Sequence, residues 1–285
     1  MSTVSSVPTH GNYHGYYSKR PFRNDERLLS LPSGLFKGAR VLDIGCNEGW
    51  VTCEIAQSYG AHLVVGVDID ESLITNAWRR RRAVWSCQAP TYPRTSNEED
   101  DLTSGDSKPR KRRKLQDEGS SQVNDTQPIR HYFPASCEHE FGSLPIPPSS
   151  NRGKNVFPHN VSFRTADWMR TDIPEDSEGY NVVIAFSISK WIHLNEGDEG
   201  LKLFFRRVYA VLKPGGSFVL EPQPWESYAK AKRMNQKLKE NGKNLVIRPS
   251  DFEAILREIG FGHPQHFGTV GEGGFSRPID LYIKV

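Results

Sequence analysis

Val41-Leu42-Asp43-Ile44-Gly45-Cys46-Asn47-Glu48-Gly49 constrains this chain more than any other stretch. A short apolar run leads into a glycine-bounded turn, and a helical pattern starts at once. That order predicts a strand, a tight loop and a helix N-terminus, where α/β sheets hold nucleotide-like ligands. The glycines let backbone amides approach the ligand closely. The loop reads G-x-x-x-G behind Asp43, and Asn47 stands where a dinucleotide loop needs its middle glycine. A ligand with an amino acid and a ribose but no phosphate fits such a loop, and S-adenosylmethionine is one. About 20 residues on, where a ribose-binding acid is expected, Leu63–Asp70 reads as a second buried strand ending in carboxylates. Asp68 is placed to accept from both ribose hydroxyls, and no basic residue for a 2′-phosphate accompanies it.

The remaining pattern is that of one α/β domain. Strand one spans about 39–44 and helix one about 48–59, with Trp50, Val51, Ile55 and Ala56 at helical spacing. A helix from near Glu71 carries Leu73, Ile74, Ala77 and Trp78, then Arg79–Arg82, a solvated face or a peripheral nucleic-acid backbone contact. Val161–Trp168 and Tyr180–Ser187 read as strands three and four, the latter apolar throughout and hence central. Asp198–Leu212 is an amphipathic helix presenting Leu201, Phe204, Phe205, Val208, Val211 and Leu212, stopped by Lys213-Pro214-Gly215-Gly216. Ser217–Glu221 is strand five, a helix follows at about 250–259, and Phe261 onward with Ile279–Ile283 closes the sheet as an antiparallel pair. Alternating β and α with a terminal hairpin predicts a doubly wound, mostly parallel sheet.

For a 285-residue chain, 36% hydrophobic content and a mean hydropathy of −0.60 are low, so a polar segment must dilute the core. That segment is about 89–158, rich in Ser, Pro, Asn and charge, and it reads as a disordered insert. Its run Lys108-Pro109-Arg110-Lys111-Arg112-Arg113-Lys114 reads as a nuclear import signal, a nucleic-acid tether or a merely solvated charge run. A net charge of only +3 makes any basic character local. Cys46, Cys53, Cys87 and Cys137 form no C-x-x-C pair, which predicts a reduced intracellular protein without structural zinc. No apolar run approaches 18 residues, so neither signal peptide nor membrane span is expected.

The order V-L-D-I-G-C-N-E-G, V-D-I-D, A-D-W and L-K-P-G-G resembles the class I methyltransferase core, with a seven-stranded Rossmann-like sheet. Three stretches are more specific: Ser187–Asn195, Gly197–Lys202 and Leu220–Trp225. With Gly11-Asn12-Tyr13, Tyr16-Tyr17 and Asp25–Leu28, they resemble the Bicoid-interacting-type RNA methyltransferases, the methylphosphate capping enzymes of small noncoding RNA. The resemblance spans nearly the whole chain except the insert and the first few residues. It implies an N-terminal arm over 1–30 that closes on cofactor and substrate, and one methyltransferase domain over 31–285 around the insert. It also implies work inside ribonucleoproteins with La-related proteins, while the Lys108–Lys114 run, read as an import signal, predicts a nuclear setting, with cytoplasm as a further one. An import receptor for Lys108–Lys114 and a monomeric state are the accompanying expectations.

By the same resemblance, the cofactor site comprises Tyr17, Arg27, Asp43, Gly45, Cys46, Asn47, Asp68 and Ile69. Arg27 is expected on the cofactor carboxylate, since a guanidinium matches a carboxylate as a two-pronged fork. Asp167 is expected on the adenine amino group with Trp168 flanking the ring, while Phe186 and Ser187 lie beside the sulfonium. The family often has Asn-Tyr where this chain has Asp167-Trp168, so that contact is chemically altered.

On the acceptor side, a terminal phosphate has a second pKa of about 6 and is already anionic at neutral pH. No general base is needed. Cations and donors are, to hold a charged 5′ end. Lys190 and His193 are placed for this by sequence; Lys19, Arg20, Lys230 and Arg277 are further candidates. Tyr16, Trp191 and Trp225 are candidates for base stacking, worth about 1–3 kcal/mol per base. Glu221 is placed at the substrate or orienting its loop, and Gln223 at the substrate. Core packing competes for Trp191, and a backbone hydrogen bond for His193. The expected reaction is methylation of an RNA 5′-phosphate, most directly the γ-phosphate of a triphosphate end. Alternatives are a 5′-monophosphate substrate, a noncatalytic RNA assembly factor on the same fold, and methylation of a protein or small molecule.

Overall fold

The computed structural model describes residues 10–12, 16–17, 25–87, 135–271 and 275–285. The strands are β1 (Arg40–Ile44), β2 (Leu63–Asp68), β3 (Val161–Thr165), β4 (Tyr180–Phe186), β5 (Leu212–Glu221), β6 (Gln265–Val270) and β7 (Arg277–Ile283). The helices are α1 (Glu26–Ser30), α2 (Trp50–Ser58), α3 (Glu71–Cys87), α4 (Ala135–Phe141), α5 (Ser149–Arg152), α6 (Ser189–Val211), α7 (Glu226–Ala231), α8 (Gln236–Asn241) and α9 (Phe252–Ile259). By contacts the chain divides into Met1–Trp85 with Leu144–Val285, and a smaller unit over Ser86–Ser143 that contains α4. No helix among the described residues is long and apolar enough to cross a membrane.

The seven strands lie in the order β3-β2-β1-β4-β5-β7-β6. β1 to β5 pair in parallel, and β7 runs antiparallel between β5 and β6. This is the class I methyltransferase topology expected above. The chain winds outward from β1 to β3 and then restarts at β4 on the other side of β1. The two crossovers leave a crevice beyond the carboxyl ends of β1 and β4, the place where open α/β sheets bind ligands.

Burial follows the periodicities of the chain. Val41 and Leu42 of β1, and Val183, Ile184 and Ala185 of β4, are fully buried, as strands covered on both faces must be. On α6, Leu201, Phe204, Phe205 and Val208 recur at helical spacing and are fully buried against the sheet. Each such side chain stabilises the fold by roughly 1.5–3 kcal/mol. On α3, Leu73, Ile74 and Ala77 are buried, whereas Trp78 stays 37% exposed and meets Phe163 edge-on.

Three elements depart from expectation. α6 runs from Ser189, but Gly197 breaks it with φ 73° and ψ −172°, so its second part starts at Asp198 as expected and the unexpected part is the first, over Lys190–Asn195. α7 and α8 have no counterpart in the sequence reading, because six residues are too short to show a period. Tyr228 of α7 and Leu238 of α8 join Leu194 of α6 and Leu245 in a satellite apolar cluster. The segment expected to be featureless contains α4 and α5, and Phe157 at its end is 3% exposed in the core. Residues 88–134, including Lys108–Lys114, lie outside the described residues.

Candidate active site

A cavity of about 740 Å³ fills the crevice. Its floor is the loop after β1. Gly45 has φ 74°, and a Cβ there would lie 2.3 Å from Cγ2 of Ile188. Asn47 also takes a left-handed conformation, φ 51°, and its amide donates to Asp68 Oδ2 at 2.9 Å. Asp68 Oδ1 accepts from the Asp70 amide at 3.1 Å, so the β2 carboxylate is oriented before any ligand enters. Burial pushes its carboxyl up, against those two amides. Asp43 accepts from Thr52 Oγ1 at 2.6 Å, and burial pushes its carboxyl up to about 6. The buried Cys46 thiol is pushed up as well, chiefly by burial, which leaves it a small apolar wall. Ile69 stands 39% exposed at the rim.

From the N-terminal arm, Asn12 Nδ2 donates to Asp70 Oδ2 at 2.7 Å, and Gly11 packs on the indole of Trp191, where a Cβ would lie 2.3 Å from a ring carbon. Tyr17 is buried on Trp50, ring centroids 5.4 Å apart, and Tyr16 meets both Tyr17 and Phe275 edge-on. All four arm residues line the cavity.

Of the pair expected at the adenine, Trp168 is embedded in the fold and Asp167 is open. Trp168 lines the cavity but is 3% exposed; its Nε1 donates to Asp176 at 3.1 Å and the Arg207 guanidinium lies 4.5 Å over its ring. Asp167 is open to the cavity, pairs with Arg170 at 3.5 Å and accepts from the Met169 amide.

Arg27, expected on a cofactor carboxylate, lines the cavity with its fork already engaged by protein carboxylates. Nε and Nη2 close on Asp25 at 2.9 and 2.6 Å, and Nη1 reaches Glu221 at 3.1 Å. The guanidinium also stacks 4.4 Å over Phe186. Two carboxylates raise the guanidinium's pKa further despite its burial, so Arg27 is a permanent cation that ties α1 to the end of β5.

Cations also line the cavity: Lys190 from α6, Lys230 from α7 and Arg277 from β7. Lys190 is 8% exposed, with Nζ 3.3 Å from Ser227 Oγ and 4.8 Å over the Trp191 ring. Burial first, then the charges of Arg277 and Lys230, lower its pKa to about 8. Arg277 Nη1 donates to Ser187 Oγ, and Ser187 Oγ donates to Glu221 Oε2. Tyr16 Oη lies 3.5 Å from the same hydroxyl.

Three expected site residues lie off the cavity wall. His193 is fully buried: Nε2 lies 2.6 Å from Asp198 and Nδ1 3.2 Å from the Tyr228 hydroxyl. It therefore pins the break in α6 to α7, which corrects the phosphate-positioning role expected for it. Trp225 lies between Arg248 (3.9 Å) and Lys232 (4.8 Å) and against Tyr228, so its faces are taken by protein. Glu221, 0% exposed, stands behind Ser187 and Arg27 instead of at the substrate. Gln223 does line the cavity, but its amide is engaged by the turn after β4. Lys19 and Arg20 lie outside the described residues. Sequence reasoning missed Asn12, Ser227, Met234 and Phe275 on the wall; the quoted Gly-Asn-Tyr motif holds a signal for Asn12 alone.

Residues 180–284 match the model of the Bicoid-interacting protein 3 family, and residues 41–98 match that of a methyltransferase domain. The chain is 38% identical to the 7SK snRNA methylphosphate capping enzyme of Homo sapiens, over 96% of this chain and 39% of that protein. It is 32% identical to a probable RNA methyltransferase of Arabidopsis thaliana, over 96% of this chain and 79% of that one. It thus spans about two fifths of the length of the first of these relatives. Among solved structures it is similar to the magnesium protoporphyrin IX methyltransferase of Synechocystis, with 14% identity, a TM-score of 0.49, and 91% and 76% of the two chains covered.

Proposed function

The chain belongs to the Bicoid-interacting protein 3 family, and from that premise we propose that it methylates the 5′-terminal phosphate of a small noncoding RNA, with S-adenosylmethionine as donor. The observation that carries this reading is the joining of two subsites in one cavity: a glycine loop with an oriented acid, and a cluster of three cations. The first fits the donor. Gly45 keeps the loop backbone open where a side chain would collide, and Asp68 presents a carboxylate fixed by two amides. Asp68 and Ile69 would hold the nucleoside, and Asp43, Gly45 and Tyr17 the amino-acid end. When bound, the donor supplies a methyl carbon made electrophilic by its sulfonium.

This chain's own residues deal with the acceptor. A phosphate oxygen is a nucleophile without deprotonation, since its second pKa is about 6. Lys190, Lys230 and Arg277 offset the charge of the 5′ end and orient it, the form of catalysis that alignment and preorganised charge supply. Tyr16 and Phe275 wall the acceptor end against water. The γ-phosphate of a triphosphate end is the proposed acceptor atom group, with Lys19 and Arg20 of the arm adding charge for the longer phosphate chain. Residues 1–30 act as the arm of this site, and the Lys108–Lys114 run serves nuclear import and a ribonucleoprotein setting that includes a La-related protein.

Transfer of labelled methyl to RNA with a 5′-triphosphate, and not to the same RNA after dephosphorylation, is the expected result. Equal labelling of the two overturns phosphate methylation.

A further inference from the structure

We infer that Gln223 is a positioning residue that caps α6 from across the sheet and thereby aims Lys190 at the acceptor. This rests on the phosphate-methylating reading above. The N-terminus of α6 has no cap of its own: Ile188 occupies the cap position and offers no side-chain acceptor. Gln223, 1% exposed and just beyond β5, fills that place. Its Oε1 accepts from the Lys190 amide at 3.1 Å and from Ser189 Oγ at 3.2 Å. Its Nε2 donates to the carbonyl of Ser187.

Ser187 is the second half of the argument. It has φ 61°, a left-handed conformation that a residue with a Cβ adopts only when its surroundings impose it. Its amide donates to the Glu221 carbonyl at 3.2 Å, its hydroxyl donates to the Glu221 carboxylate, and its carbonyl receives Gln223. The end of β5 therefore grips both the backbone and the side chain of the turn. Three residues after Ser187, the chain delivers Lys190 to the cavity beside Ser227. Both ends of the Gln223 amide are engaged within the protein, so the residue acts on substrate through the turn and Lys190.

The test uses the full chain with Gln223→Leu and Gln223→Glu. In Gln223→Leu the Lys190 amide loses its acceptor, and its hydrogen exchange, read by NMR, accelerates at least tenfold. The kcat for labelled-methyl transfer to 5′-phosphorylated RNA drops at least tenfold, while affinity for S-adenosylhomocysteine stays within twofold, which also reports an intact fold. Gln223→Glu separates aiming from mere packing. Ionised, it cannot donate to the Ser187 carbonyl; protonated, it reproduces both the donor and the acceptor of glutamine. Its kcat relative to the unaltered chain therefore rises as pH falls from 8 to 6. Unchanged Lys190 exchange, unchanged kcat in Gln223→Leu, or a flat pH ratio each overturns the positioning role. Absence of transfer by the unaltered chain overturns the assigned reaction instead.

Discussion

Arg27 and Glu221 stand 194 positions apart in the chain and meet at 3.1 Å, with 1% and 0% of their side chains exposed. Asp25 holds the other edge of the same guanidinium, so one buried cation serves two carboxylates. The cluster fastens α1 to the carboxyl end of β5, next to the turn that delivers Lys190. Removing the cation leaves two carboxylates buried beside each other. Arg27→Met is expected to cost roughly 3–5 kcal/mol of stability, read as a shift of the urea midpoint. A loss under 1 kcal/mol contradicts the account.

His193 predicts a separate effect of acid on stability. Burial lowers its pKa below the ordinary 6.5, more than Asp198 raises it. The unfolded chain therefore takes up this proton first. The stabilising contribution of neutral His193 is complete above about pH 6.5 and is lost as pH falls toward its lowered folded value. The difference in urea midpoint between the unaltered chain and His193→Gln should shrink between pH 7.5 and 5.5. Affinity for 5′-phosphorylated RNA at pH 7.5 should change by less than twofold, since the ring does not reach the cavity.

Lys190 governs the opposite limb. With its pKa lowered to about 8 by burial and neighbouring cations, it loses its charge as pH rises through that value. Affinity for 5′-phosphorylated RNA, followed by fluorescence anisotropy, should weaken from pH 7 to 9.5 more steeply than affinity for 5′-hydroxyl RNA. Lys190→Arg should flatten the dependence, because a guanidinium keeps its proton throughout. Lys190→Met should bind the phosphorylated end at least tenfold more weakly at pH 7. An unchanged slope in the arginine variant refutes the assignment.

Gly45→Ala meets two obstacles at one position. The backbone has φ 74°, which costs an L-residue about 1–2 kcal/mol, and the added carbon would lie 2.3 Å from Ile188 Cγ2. Affinity for S-adenosylhomocysteine should fall at least tenfold by calorimetry. Adding Ile188→Ala should recover only the steric part. Full recovery in the double variant rules out a conformational role for the glycine.

The fold was legible because its signals are local and repeated. Val41–Gly49, the uninterrupted apolar run of β4, and Leu201, Phe204, Phe205 and Val208 on α6 each satisfy a period that admits one way of burying the chain. The loop after β1 was equally legible, because the conformations of Gly45 and Asn47 and the hydrogen bond to Asp68 are written within 24 residues. The short helices α7 and α8 were not, since six residues establish no periodicity.

What the amino-acid order determined alone is the fold and the loop that floors the crevice; which side chains reach the crevice, and which of them remain available to a ligand, was decided only by tertiary structure. His193, Arg27, Glu221 and Gln223 were read from sequence as groups facing cofactor or RNA. Packing instead spends their hydrogen bonds on Asp198, Asp25, Ser187 and the Lys190 amide. The reason is physical: a buried donor or acceptor must find a partner within the protein or lose the free energy of its hydration. For Glu221 and Gln223 those partners lie 34 and 33 positions away, and Arg27 also reaches Glu221 194 positions off, distances over which no local pattern carries information.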